Sequence, residues 1–154
     1  METADGRVEI IELLAAHEAA IARLYNVYGE VLTGYRDFWQ RLAREETRHA
    51  TWLKNLAVLA ERGEISVDRR RFAAEVIKKS MEYMDREYET AAGGLASIES
   101  ALDTAGIIEK SMLESEYFKI LEADSPQVQK ILTALAADTD EHLQKIKRAR
   151  SQIG

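Results

Sequence analysis

The sequence has no cysteine, a single proline and no uninterrupted apolar run of membrane-spanning length. The absence of cysteine excludes disulfides, thiolate metal sites, redox thiols and iron–sulfur centres held by cysteine. The first residues, METADGRVEI, lack the basic flank and apolar core of a signal peptide. We therefore expect a cytoplasmic protein with no membrane partner. The shortage of proline is typical of a helical protein, because proline interrupts helices.

Positive charge is also in short supply. The chain has 21 Lys and Arg residues against 27 Asp and Glu residues, which gives a formal net charge of -6. Nucleic-acid binding needs a surplus of Lys and Arg on one surface, so nucleic acid is not expected as the main partner. At 154 residues the chain is long enough for one hydrophobic core, and residues 1–154 are predicted to form a single domain.

What the sequence does have is apolar residues at intervals of three and four almost throughout, without a convincing alternating strand pattern. This spacing predicts five helices, at about residues 7–28, 35–62, 68–91, 98–122 and 126–151. The first two and the last two have short connections, which makes each pair antiparallel, and the third helix lies in the long segment between the pairs. The layout fits a four-helix bundle with one long crossover that contains an additional helix.

Polar residues interrupt the apolar stripes of four of these helices. Glu18 lies between Leu14 and Ile21, and no Lys or Arg shares the stripes to neutralise such a carboxylate. Buried carboxylates are costly unless they are paired, hydrogen-bonded or bound to a cation. The polar residues that interrupt the apolar stripes are Glu18, Glu46, His49, Glu109 and His142.

These residues are predicted to lie at the same level along the axis of the bundle. Glu18 and Glu46 are centred on Leu32 in the first predicted turn, whereas Glu109 and position 139 are centred on Asp124 in the last. Each pair therefore meets about 14 or 15 residues from its turn, which is roughly 21 to 23 Å at the rise of a helix. One shared site in the core of the bundle is predicted.

The segments AAHEAAIARLY, REETRHATWL, ALDTAGIIEKSMLESEYFKIL and LAADTDEHLQKI carry a family resemblance over nearly the whole chain. In that order they resemble the metal-bearing helices of ferritin-like carboxylate bundles, and of the rubrerythrin branch in particular. The resemblance implies that Glu18 and Glu109 are terminal carboxylate ligands and Glu46 is a bridging one. It also implies that His49 and His142 each complete the coordination of one metal.

The resemblance further implies an all-α ferritin-like fold and iron-dependent redox chemistry with oxygen or peroxide as substrate. One or two iron ions are expected, although manganese or zinc accepts the same oxygen and imidazole ligands. A homodimer and an electron donor that the sequence does not identify are expected as partners.

One position departs from the family pattern. Thr139 stands where a second bridging glutamate would lie, three residues before His142. A hydroxyl is a poor ligand, so we expect one metal to be held well by Glu18, Glu46 and His49 and a second weakly or not at all. Asp138 would lean toward this site only partly. Glu116 points inward, but roughly 10 Å along the axis from Glu109.

Two other family features are missing. Peroxide-reducing rubrerythrins carry a further carboxylate one turn from the third ligand helix's glutamate, where this chain has Gly106 and Met112. The four-cysteine rubredoxin-type module is absent as well. Whether the chain is an enzyme therefore stays open, with a non-catalytic scaffold or partner-binding protein and metal storage or sensing as alternatives.

The polar residues also have a metal-free interpretation, in which the histidines hydrogen-bond Glu18, Glu46 and Glu109 in a buried network. His17 is offset from the stripe and is predicted to lie on the helix surface. Tyr25 and Tyr117 are either redox-active neighbours of the site or ordinary core residues.

Overall fold

The computed structural model describes residues 4–67, 74–114, 121–123 and 126–153, and these form an all-α bundle with a short strand pair. The helices are α1 (Ala4–Val31), α2 (Arg36–Glu61), α3 (Ala74–Ala92), α4 (Ile98–Glu114) and α5 (Pro126–Ile153). A single 3-10 turn, Thr33–Tyr35, joins α1 to α2. The strands are β1 (Ile65–Val67) and β2 (Leu121–Ala123).

The helix ends follow the local sequence. Gly63 and Gly94 lie two residues beyond the ends of α2 and α3, with φ of 76° and 78°, a left-handed conformation that glycine adopts without strain. At the start of α4, the Ser100 amide donates to the Ser97 hydroxyl (3.1 Å), and the Ser97 amide donates to the Ser100 hydroxyl (3.0 Å). This reciprocal cap satisfies amides that the first helical turn leaves without partners.

Helices α1 and α2 form one antiparallel pair, and α4 and α5 form the other. In the second pair Arg150 of α5 donates to Asp103 near the start of α4. Helix α3 packs on α1 and runs in the same direction, since His17 contacts Ser80 and Arg23 contacts Asp85 further along both helices. The apolar faces meet in one core whose largest fully buried side chains include Trp39, Tyr25, Tyr28, Ile11, Leu14, Leu42, Leu53 and Met84.

The strand pair was not predicted. β1 and β2 are antiparallel, with Ile65 opposite Ala123, and β2 occupies the region where the fourth helix was expected to end. A three-residue strand is too short to show alternation, and its pairing depends on a distant segment. The predicted helix ends at residues 68–73 and 115–120 lie outside the described residues, as do Glu116 and Tyr117.

Along α3, neighbouring residues divide between core and surface. Ile77 is buried on the α1 side, whereas Val76 is 52% exposed because consecutive helical residues point about 100° apart. Within the described segments, no helix combines the length and apolar character that crossing a membrane requires.

Candidate metal centre

The structure brings together all five polar residues that interrupt the apolar stripes. Glu18 comes from α1, Glu46 and His49 from α2, Glu109 from α4 and His142 from α5. Each has at most 1% of its surface exposed. Four helices therefore direct charged or ionisable groups into the same part of the core.

The five residues form two triads that share Glu46. In each triad the donor atoms lie within 4.8 Å of one another, a spacing that a single metal ion can bridge. In the first triad, His49 Nδ1 lies 3.5 Å from Glu46 Oε2 and 4.0 Å from Glu18 Oε2.

In the second triad, His142 Nδ1 lies 2.9 Å from Glu46 Oε1 and 3.6 Å from Glu109 Oε1. The His49 and His142 rings are stacked, with centroids 5.5 Å apart and planes inclined by 21°. The shared carboxylate thus has one oxygen directed to each imidazole.

Several donor atoms in the cluster are buried without a hydrogen-bond partner. They are both oxygens of Glu18, Oε2 of Glu46, Nδ1 of His49 and Oε2 of Glu109. Buried polar atoms normally find partners, because an unsatisfied one costs roughly 1–3 kcal/mol. Carboxylate oxygens and an imidazole nitrogen are also good ligands for transition metals. The residues present therefore fit a bound cation.

Thr139 lies three residues before His142 in α5 and belongs to neither triad. Its side chain is fully buried, and its hydroxyl donates to the Leu135 carbonyl one turn back in α5 at 2.9 Å. Among the described residues, Glu46 is the only carboxylate common to both triads.

Two outer carboxylates contact the imidazoles at Nε2, the ring nitrogen that faces away from the inner carboxylates. His49 Nε2 contacts Asp138 at 3.0 Å, and His142 Nε2 makes a short contact with Glu45. Each acid precedes the histidine of its own helix by four residues but contacts the histidine of the other helix. With Nε2–H donating outward, Nδ1 of each ring faces the inner carboxylates and becomes a metal ligand once it loses its proton.

The sequence pattern does not indicate Glu45, and for Asp138 it predicts a different role, that of a partial ligand. A signal was present, since an acid stands four residues before each histidine. That spacing alone does not show that α2 and α5 cross so that each acid reaches the opposite ring.

The inner carboxylates differ in their protonation. Burial, and then repulsion by Glu46, raises the pKa of Glu18 well above its usual value and that of Glu109 to about 7. Burial would also raise the pKa of Glu46, but interactions with Glu18, His142 and His49 hold it well below its usual value. The metal-free centre thus concentrates negative charge on the shared carboxylate.

Both imidazoles favour the protonated form in the metal-free chain. Burial opposes this, but Glu109 and Glu46 together raise the pKa of His142 to about 11. The pKa of His49 is also raised, by Glu46 and Asp138 against the effect of burial. A cation that binds the rings must therefore displace protons.

Tyr25 touches the centre directly. Its hydroxyl donates to Glu109 Oε1 at 2.9 Å, and its ring packs against Trp39 with centroids 5.3 Å apart. Burial and the nearby carboxylates raise its pKa well above 10, so the phenol is neutral. The residue is therefore both a core residue and a neighbour of the site.

His17 was predicted to lie on the surface, and this prediction is wrong. The side chain is 2% exposed, and its Nε2 lies 2.9 Å from the Ser80 hydroxyl. Helix α3 covers this side of α1, which the periodicity of α1 alone does not reveal. Burial outweighs the nearby Glu46 and lowers the pKa of His17 to about 4, so the ring is neutral.

Comparison of the chain with protein-family models, curated proteins and solved structures finds no match. The possible metal site therefore rests on the buried carboxylate and histidine groups themselves. The resemblance to rubrerythrins stays a prediction from sequence.

Proposed function

We propose that the chain is a rubrerythrin-like metal protein that binds up to two transition-metal ions, with iron the expected metal. The first ion would be held by Glu18, Glu46 and His49, and the second by Glu46, Glu109 and His142. The observation that carries this proposal is the set of buried donor atoms without partners in the cluster.

The two positions are expected to differ in affinity. In the first triad, His49 Nδ1 and both oxygens of Glu18 have no partner, so binding there breaks no hydrogen bond. In the second, His142 Nδ1 is hydrogen-bonded to Glu46 and Glu109 Oε1 accepts from Tyr25. An ion at either triad displaces protons, but an ion at the second must also replace the hydrogen bond between His142 and Glu46, so it binds more weakly.

Charge balance involves the outer carboxylates as well. Two divalent ions bring four positive charges, against three inner carboxylates. Asp138 and Glu45 add negative charge behind the imidazoles and make the ring nitrogens stronger donors. They partly compensate for the carboxylate that Thr139 does not provide.

Bound iron would supply one-electron chemistry with oxygen or peroxide, the redox function implied by the resemblance. The chain's own residues then hold the site and control its surroundings. Glu46 joins the two positions, and the buried apolar faces keep bulk water away from the ligands. Tyr25 donates a hydrogen bond from its hydroxyl to Glu109, which fixes the orientation of that carboxylate.

The metal-free network is the second candidate, and specific contacts favour it. His142 contacts Glu46, His49 contacts Asp138, and Tyr25 donates to Glu109 without any ion. Such a network would serve a scaffold, but it leaves Glu18 with no partner for either oxygen.

Anaerobic addition of Fe(II), followed by peroxide in stopped flow, tests the proposal. Trp52 is a built-in reporter of binding, because its ring lies 5.5 Å from that of His49. Quenching on Fe(II) addition and rapid iron oxidation by peroxide are expected. Glu46→Ala/His49→Ala should lose both signals, whereas Glu82→Ala/Glu89→Ala on the exposed face of α3 should keep both. Unchanged fluorescence with wild-type protein would favour the scaffold.

A further inference from the structure

A groove with basic edges runs along the outer side of α1 and α2. Two adjoining cavities, of about 410 and 370 Å³, form it and share Asn26, Thr47 and Thr51. We call this surface the basic groove and define it by Arg23 and Asn26 of α1 and by Arg44, Thr47, Arg48, Thr51 and Lys54 of α2.

The groove carries a local excess of positive charge on an acidic chain. Its four basic side chains face one lining acid, Glu30, although the chain as a whole has a net charge of -6. Within the described part of the chain, exposed Arg44, Arg48 and Lys54 have no ion-pair partner. These three cations remain available to an external anion.

Arg23, at the edge of the groove, already has partners within the chain. Its guanidinium lies 3.6 Å from Asp85 and 3.7 Å from the centroid of the Tyr88 ring, and all three groups belong to the α1–α3 contact. The floor between the cations consists of small residues, Ala19, Ala22, Ala43 and Ala50. Side chains of a partner can therefore approach the helix backbones closely.

The groove lies directly behind the candidate metal centre. Thr47 and Arg48 stand between Glu46 and His49 in the chain and point outward from the same turn of α2. The groove is thus separated from two ligand residues by the thickness of one helix. The centre itself is buried, so reducing equivalents must enter through a covering helix.

We propose that the basic groove is the docking surface for a small acidic electron-carrier protein. Complementary charge steers such encounters and makes them dependent on ionic strength. Electron-transfer complexes are typically small and short-lived, which suits a shallow groove of this size. The carrier's role rests on the redox function proposed above, whereas docking does not require a metal.

A protein partner fits the charge distribution better than nucleic acid does. A compact acidic protein contacts only the groove and its margins. A long polyanion would also extend over the remaining surface, where acidic residues predominate and repel phosphate.

The test measures binding of an acidic plant-type ferredoxin to the full chain by calorimetry, at low and at high salt. Arg44→Glu/Arg48→Glu should weaken binding by about tenfold or more, since it reverses two charges at the surface. Lys78→Glu/Lys79→Glu on exposed α3 changes the net charge equally and is the matched control. It should leave binding within about twofold of wild type, because neither lysine lines the groove.

The outcomes separate this inference from the proposed function. Salt-sensitive binding that is lost only in Arg44→Glu/Arg48→Glu supports docking at the groove, even if the chain takes up no iron. Equal weakening of ferredoxin binding in both variants overturns the docking inference. Tighter binding of a DNA duplex than of ferredoxin, if it depends on Arg44 and Arg48, also overturns it. Iron uptake without ferredoxin binding also overturns the docking inference, and leaves the metal site standing.

Discussion

Glu18 is the carboxylate of the centre with least support from the protein. Neither oxygen has a hydrogen-bond partner, and burial raises its pKa well above the usual value. Glu18→Gln keeps the shape of the side chain and is neutral. We therefore expect the free energy of unfolding of the metal-free variant to lie within about 1 kcal/mol of the wild-type value. The first ion should nevertheless be lost, because an amide is a much weaker ligand.

Thermal unfolding in chelator and iron content without chelator measure these two effects. Glu82→Gln, on the exposed face of α3, should change neither. Destabilisation of metal-free Glu18→Gln by several kcal/mol would mean that Glu18 belongs to a hydrogen-bonded network instead.

Asp138 contacts His49 and belongs to neither triad, so the proposed function gives it the role of orienting that imidazole. Asp138→Asn should lower metal affinity by about 10–100-fold, the usual effect of removing the group that orients a ligating histidine. Glu141→Gln in the same helix is the control, since Glu141 pairs with Lys145 and contacts no imidazole in the structure. Equal affinities for the two variants in an Fe(II) titration would contradict the orienting role.

These residues show which parts of the site can be predicted from sequence. The inner five could be found because each is a polar residue on an apolar stripe, a feature of its own helix. Glu45 and Asp138 lie beside the stripe, and their role depends on how α2 and α5 cross. Such crossings are a property of the packed molecule.

At the level of elements, the contact between α1 and α3 holds the crossover helix in place. The partly buried hydrogen bond between His17 and Ser80 is part of this contact. Ser80→Ala should lower the free energy of unfolding by about 1 kcal/mol, the typical contribution of one hydrogen bond. Thr90→Ala, whose hydroxyl only donates to Arg86 in its own helix, should stay within about 0.5 kcal/mol of wild type.

Urea unfolding of both variants provides the comparison. If Ser80→Ala is no less stable than Thr90→Ala, the His17 contact does not hold α3 in place.

The elements themselves were predictable to different degrees. Gly63, Gly94 and Ser97 mark helix ends through local geometry, so their positions follow from the sequence. The strand pair β1–β2 joins distant segments, and neither strand is long enough to be recognised alone. The burial of His17 was missed for the same reason, because a separate helix causes it.

For the whole molecule, protonation links stability to metal binding. The pKa of Glu109 is raised to about 7, so its favourable contribution to folding is lost as the pH rises from about 4.5 to 7. The pKa of His142 is raised to about 11, so its contribution is fully present below about pH 6.5 and is lost progressively as the pH rises toward 11. The pKa of Glu46 is lowered, so its contribution to stability is present above about pH 4.5 and is lost as the pH falls below that value.

The metal-free chain should therefore lose stability between about pH 5 and 9, as urea unfolding in chelator would show. Metal affinity should increase over the same range, because each ion displaces protons from Glu109, Glu18 or the imidazoles. An affinity independent of pH would contradict the assignment of these residues as ligands.

The most direct measurement is the metal content of the chain purified without chelator, before and after anaerobic addition of excess Fe(II). We expect about one tightly held ion per chain, a weaker second ion in excess iron, and tighter second binding in Thr139→Glu. Glu46→Ala/His49→Ala should hold none, and Glu82→Ala/Glu89→Ala should match wild type. Negligible metal in the wild-type chain, not restored by Fe(II) or Mn(II), would contradict the metal centre.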